Sequence, residues 1–251
     1  QCFTWQRLGE GHYGIPARGS YVEAEQRGER LVFSCGETEF EALWADYFDL
    51  ITDYEAIQAA IDPADGYLRA AARYGRGIRV LRQDEWEMLV SFIISQRKSI
   101  PAIRRAVELL SERFGERLGS DSEGPVYTFP TAEALCCAGE QALQECGLGY
   151  RTRYVLHAAQ QAAEGTLDLK KLASLPDEAL FARLMELDGV GKKVANCVCL
   201  FGYGRVGRVP VDVWIERLIR DEFAGQDPFP QFGLEAGIVQ QYLFFYKRSV
   251  G

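Results

Sequence analysis

Two residues in the stretch 187–212 have the type and spacing for nucleophilic chemistry: Lys193 and Asp212. Lys193 falls in the first turn of a helical pattern that follows Leu187-Asp-Gly-Val-Gly191. A cation is out of place there, because the helix macrodipole is positive at its N-terminus. That positive end, together with partial burial, favours the neutral amine, which is a nucleophile at physiological pH. Lys192 competes for the role. Cys197 decides for Lys193, since it lies four residues on, on the same helical face, where an ammonium and a thiolate could pair. Lys192 is left to face phosphate or water. Asp212 follows Pro210 in Val209-Pro-Val-Asp-Val213 and occupies the N-cap position of a new helix. An aspartate cap needs no function. Near an amine nucleophile, however, the same carboxylate stabilises positive charge developing on a sugar carbon, or helps move the proton of the amine.

The element that must position Lys193 is the turn before it. Gly189 and Gly191 are expected to permit positive φ and close approach to another surface, and Val190 to pin the hairpin into the core between two helices. The amides at the start of the second helix then form an anion site suited to a DNA phosphate, independent of sequence. An ordinary two-helix turn is the bland alternative, and Cys199 reads as a small core residue.

Net charge is −8, which counts against a nucleic-acid partner only if read globally. The acids crowd the segment before residue 84. Bases collect later, at Arg97, Lys98, Arg104 and Arg105, at Arg151 and Arg153, and at Lys192, Lys193, Arg205 and Arg208. These clusters are either solvated helix faces or a DNA footprint. No apolar run approaches the roughly 20 residues of a membrane-spanning helix, so no membrane partner is expected. The seven cysteines show no repeated spacing, which argues against a disulfide framework and fits a reducing cytoplasm. No Cys/His set has zinc spacing, and no cysteine follows Cys199 to hold an iron-sulfur cluster. No cofactor is expected beyond a cation that hairpin carbonyls could hold. The opening Gln1-Cys-Phe-Thr-Trp5 alternates like the middle of a strand, so residues are expected upstream.

Short strand-like segments up to residue 36, with Gln26-Arg-Gly-Glu29 as a hairpin turn, predict an antiparallel sheet. Helical patterns follow near 53–61, 66–74, 84–95, 100–115, 131–139, 139–146, 151–164, 177–187, 192–202, 212–223 and 233–247. Capping residues Asp84, Thr131 and Pro176 support several of them. The stretches 73–77, 119–130 and 225–230 read as linkers. The expected class is α+β: an N-terminal antiparallel β-sheet domain with helices over 1–80, then an all-helical domain over 81–251 with a helix-hairpin-helix at about 177–202.

Motifs spread over most of the chain carry a specific likeness. Gln1-Cys-Phe-Thr-Trp5, Val80-Leu-Arg-Gln-Asp84, Ser91-Phe-Ile-Ile-Ser95, Gly147-Leu-Gly-Tyr-Arg151, Gly189-Val-Gly-Lys-Lys-Val-Ala-Asn-Cys197 and Val209-Pro-Val-Asp-Val213 occur in the order of one family. The chain resembles the 8-oxoguanine DNA glycosylase and AP-lyase family of the helix-hairpin-helix glycosylase superfamily, in a bacterial-type form. The resemblance implies Lys193 as Schiff-base lysine, Asp212 as essential carboxylate, and Cys197, Phe201, Gln240 and Phe244 as the base pocket. Phe244 would stack on the flipped purine, Gln240 would read its Watson-Crick edge, and the Lys193/Cys197 pair would match the dipole of the oxidised base. It implies a DNA-binding role for Gly189, Val190, Gly191, Lys192, Arg97 and Lys98, with Tyr150 as the wedge and Arg151 reading the orphaned cytosine. Spacing alone would place Gln240 and Phe244 in a core.

The chain departs from the eukaryotic members at Arg97 and Lys98, which stand where they carry asparagines, and at Ala102, which replaces a second cytosine-reading arginine. A glycine carbonyl that accepts the N7 hydrogen would precede Gln1. The implied partner is duplex DNA containing an oxidised purine, bound by a monomer. Two other readings stay open: a monofunctional alkylpurine glycosylase, which needs no lysine, and a non-enzymatic helix-hairpin-helix DNA-binding module.

Overall fold

A computed structural model describes residues 2–121 and 124–250. Alternating apolar residues build a four-stranded antiparallel meander of β1 (Gln6–Gly9), β2 (His12–Ala17), β3 (Ser20–Arg27) and β4 (Arg30–Phe33), in that spatial order. The turn between β3 and β4 lies where the sequence put it, with Arg27 opposite Arg30 and Gly28 at φ 63°. Ile15, Ala17, Val22 and Ala24 bury one face of the sheet against Trp44, Tyr47 and Leu81. Trp44 and Tyr47 come from an irregular helical stretch made of Glu37–Glu39, a π segment Phe40–Trp44, and Ala45–Tyr47.

The expectation of strand at the opening residues is corrected. Described residues 2–5 are not strand, and β1 begins at Gln6. Phe3 is drawn off the sheet into the helical core, where its ring meets Phe92 edge-on at 5.9 Å.

Ten main helices follow. They are α1 (Tyr54–Ala59), α2 (Gly66–Tyr74), α3 (Glu85–Ile94), α4 (Ile100–Phe114), α5 (Ala132–Gln144), α6 (Thr152–Ala163), α7 (Asp177–Met185), α8 (Lys192–Phe201), α9 (Val213–Glu222) and α10 (Ala236–Val250). Local chemistry starts several of them: the side chains of Asp53, Asp65, Asp84, Thr131 and Asp212 each accept a first-turn amide, satisfying donors the helix itself cannot. Gly139, at φ 75° and ψ 172°, breaks α5 between the two helices the sequence predicts there. The stretch 119–130, read as a linker, instead contributes to an antiparallel pair, β5 (Arg117–Asp121) with β6 (Gly124–Tyr127).

The larger core takes in α1 and α2 through Tyr54, Ile57, Leu68 and Ala71, so helices before residue 80 share it with the later ones. Asp49 ties the two cores. Its carboxylate, 2 % exposed, accepts from Thr52 Oγ1 (3.0 Å), Tyr54 Oη (2.8 Å) and Arg82 Nη2 (2.9 Å), while Arg79 donates to its carbonyl (2.7 Å). A buried carboxylate is tolerated because each of these donors replaces water. Among the described residues no helix is long and apolar enough to cross a membrane.

The carboxyl of Glu87, on the buried face of α3, accepts a hydrogen bond from Thr4 Oγ1 at 3.2 Å. Burial first, and the neighbouring Asp84 charge second, raise its carboxyl from 4.5 to about 8. The folded chain therefore holds a proton that the unfolded chain releases above its own value of 4.5. Stability is expected to fall by up to about 1.4 kcal/mol per pH unit as pH rises through this window, and to level off above it. Denaturant titrations across that range check this: Glu87→Gln should remove the dependence and be the more stable form at the alkaline end.

Candidate active site

Helix α8 explains where the functional side chains come to lie. Val194, Ala195 and every residue from Cys197 to Phe201 are buried, so the helix is clamped between α3 and α7 and meets solvent mainly at its first turn. The hairpin before it is fixed at several points. Leu187 and Val190 are buried in the core, and Gly189 takes φ 75°. A β-carbon on Gly189 would lie 2.5 Å from the ring of Tyr154. The Gly189 carbonyl accepts from Gln96 Nε2 at 2.8 Å, and Asp188 pairs with His157 Nδ1 at 2.8 Å.

Gly191 differs from expectation. Its φ is −93°, which any residue adopts, and a β-carbon there would meet no protein atom within 4 Å. The turn itself therefore does not require a glycine at this position. The two lysines separate as the sequence argued: Lys192 is exposed, whereas Lys193 is half-buried and lines a cleft of about 740 Å³.

That cleft brings together Lys193, Cys197, Phe201, Asp212, Gln240 and Phe244, from α8, the cap of α9, and α10. Lys193 Nζ lies 3.5 Å from Ser95 Oγ and 5.2 Å from the centre of the Phe92 ring. Phe92 in turn stacks on Phe201 at 5.6 Å and 17°. Asp212 Oδ1 accepts both Trp214 N (3.0 Å) and Ile215 N (3.1 Å), so Oδ2 is spared from the cap.

Cys197 is corrected in its charge. Burial pushes the thiol up to about 11, against the lowering effect of Lys193. That direction favours the neutral S–H over a thiolate paired with the ammonium. Gln240, 2 % exposed, is already engaged: its Nε2 donates to Pro210 O at 3.1 Å, and its Oε1 accepts from Gln241. Phe244 carries the Arg248 guanidinium 5.5 Å from its ring centre.

Arg97 and Lys98 also line the cleft, whereas Tyr150, Arg151 and the hairpin residues 189–192 do not. Arg151 is 7 % exposed and turned inward, donating to Gln96 O through Nε and Nη2 and to Leu148 O through Nη1. As placed it is not free to read a base, and that role would require these bonds to be exchanged. Arg205 and Arg208, counted as part of a basic cluster, are spent inside the protein on Asp177 and Glu178. Sequence reasoning missed Ser95, Gln96, Trp214 and Arg248. Ser95 left a signal as the end of the Ser91–Ser95 motif, and Trp214 as an aromatic residue two places after the capping aspartate. Among the described residues no group of metal-ligating side chains assembles.

Residues 1–89 match the 8-oxoguanine DNA glycosylase N-terminal domain, and residues 90–228 match the HhH-GPD superfamily of base excision DNA repair proteins. The solved 8-oxoguanine glycosylase/lyase of Clostridium acetobutylicum, in complex with DNA containing cytosine opposite 8-oxoG, shares 34% identity and a TM-score of 0.90, covering 99% of this chain and 88% of that one. The N-glycosylase/DNA lyase of Saccharomyces cerevisiae is 37% identical over 159 residues, 59% of this chain and 42% of the relative. A probable N-glycosylase/DNA lyase of Methanothermobacter thermautotrophicus is 28% identical over 233 residues, 81% of this chain and 73% of the relative. The chain thus spans less than half the length of the yeast relative. It belongs to the 8-oxoguanine DNA glycosylase/AP lyase family of the HhH-GPD superfamily.

Gly189→Ala is expected to force the hairpin away from Tyr154 and to weaken binding of undamaged duplex about tenfold, because both the backbone conformation and the space forbid a β-carbon. Fluorescence anisotropy checks it, and adding Tyr154→Ala should recover part of the loss.

Proposed function

We propose that this chain excises 8-oxoguanine from duplex DNA and then cleaves the strand, as a bifunctional glycosylase and AP lyase. The observation that carries the reading is the convergence of Lys193, Asp212, Cys197, Gln240 and Phe244 on one cleft, beside a helix N-terminus fitted to a phosphate. The damaged nucleotide leaves the stack and enters the cleft, where Phe244 offers an aromatic face. Lys193 Nζ, as the free amine, attacks C1′. The C1′–N9 bond breaks, and its electron pair leaves with the base, which takes up a proton. Opening of the sugar ring gives an iminium linking Nζ to C1′. Loss of a C2′ proton then expels the 3′ phosphate with the C3′–O electron pair, and water later releases the lysine. The spared Oδ2 of Asp212 faces this sequence as the negative charge that stabilises the cationic sugar.

A monofunctional alkylpurine glycosylase would have no use for a lysine held beside Ser95 and Phe92, and a passive DNA-binding module would have no use for the cleft. Borohydride reduction on 8-oxoguanine duplex should trap a covalent complex. Lys193→Gln should abolish trapping and lower strand cleavage by about a thousandfold, and an untrappable wild-type chain would remove the mechanism. Arg97 and Ala102, in place of an asparagine and an arginine, together with the inward Arg151, favour relaxed reading of the opposite base. Excision rates across the four opposite bases are expected to be comparable, and a strong bias for cytosine would overturn that part.

A further inference from the structure

Excision from a duplex requires something to hold the stack apart while the nucleotide is outside it. The loop 147–151 carries Tyr150, 51 % exposed, at its tip. A short 3-10 turn, Gly149–Arg151, carries the ring, and Gly147 and Gly149 beside it take positive φ, at 74° and 60°. Two cations tie this loop to its surroundings. The Arg151 guanidinium lies 4.3 Å from the centre of the Tyr150 ring while bonding to Gln96 O and Leu148 O. Tyr154 meets the Tyr150 ring edge-on at 6.1 Å. Lys98 Nζ donates to Gly147 O at 2.5 Å.

Both cations fall on carbonyls just beyond the C-terminus of α5, where the macrodipole attracts positive charge. Lys98 itself belongs to the turn after α3, the turn that also supplies Ser95 to Lys193 and the Gln96 side chain to Gly189. Burial, and then the neighbouring Arg151 charge, lower the Lys98 ammonium from its usual value. A lysine reserved for a DNA phosphate would gain nothing from that position.

We propose that Lys98 is a positioning residue, a latch that holds the Tyr150 loop rigid against the end of α3, and not a phosphate contact. The inference rests on the function proposed above. With the latch gone, the two glycines let Tyr150 yield to the closing stack. Flipping from paired DNA suffers, whereas chemistry on a base already unpaired does not.

The test uses Lys98→Met in the full chain, with 8-oxoguanine placed either in a duplex or in an unpaired bubble. Single-turnover excision from the duplex should fall about tenfold, as for loss of one charged hydrogen bond, with the bubble within about twofold of wild type. The dependence of duplex affinity on salt should keep its wild-type slope, and Lys98→Arg, which retains a cationic donor, should restore duplex excision. A slope reduced by about 0.9 would make Lys98 a phosphate contact and overturn the latch. Equal loss on bubble and duplex, or no loss on either, would overturn it as well. A wild-type chain inert on both substrates would instead overturn the proposed function from which the latch follows.

Discussion

The constraint on which the site depends is a helix with almost no solvent face. From Val194 to Phe201, α8 shows side chains to the core at every position but Asn196. At roughly 25 cal/mol per Å² of apolar surface buried, such a helix cannot rotate or slide without large cost. Its polar business is therefore confined to its first turn. The free amides there and Lys193 point to the same end of the same element because no other end is available. The first-turn amides and Lys193 are thereby set in one register, and the hairpin contacts of Gln96, Tyr154 and His157 hold it.

The end of α3 completes the arrangement from the opposite side. Ser95 reaches Lys193, Gln96 reaches the hairpin, the Gln96 carbonyl receives Arg151, and Lys98 receives the loop after α5. A hydrogen bond of this kind contributes only about 1 kcal/mol to stability. Its larger effect is geometric, since three residues, Ser95, Gln96 and Lys98, fix the spacing between Lys193, the hairpin and the 147–151 loop. The economy of charge follows the same pattern. An acidic chain can meet an anion if its local field is positive, and the field here comes from a helix terminus and a few placed cations. Arg205 and Arg208 add less to it, because they pair with Asp177 and Glu178.

Local signals made much of this legible. The helix starting at Lys192, the caps at Asp84, Thr131 and Asp212, and the break at Gly139 are written in neighbouring residues, because caps and turns are settled over a few positions. Helical periodicity was enough to place Lys193 on the face of Cys197 and Lys192 off it. What escaped depends on partners far along the chain. Nothing near Phe3 says that it will leave the sheet for Phe92, and nothing near Lys98 says that Gly147 O will be within reach. The 119–130 stretch looked like a linker because its glycines and prolines mask a short hairpin. Gln240 and Phe244 were promoted by resemblance alone, and the structure adds that Gln240 is first of all a bond to Pro210.

The neutral Cys197 thiol narrows the proton path. An ammonium cannot attack C1′ until it loses a proton, and a thiolate four residues away would have been the nearest acceptor. Burial, which pushes the thiol up to about 11, disfavours that acceptor. Ser95 Oγ cannot replace it as a base, since a serine hydroxyl is no stronger a base than water, and its own proton is given to Phe92 O. The carboxylate of Asp212 and the departing purine remain. In the reaction proposed above, either can take the proton that Nζ sheds once its bond to C1′ has formed, which links that proton to departure of the base. Cys197 would then offer an S–H dipole rather than a base, and Asp212 would carry the acid-base work. The cap bonds to Trp214 and Ile215 hold that aspartate still, so structure and chemistry share one side chain.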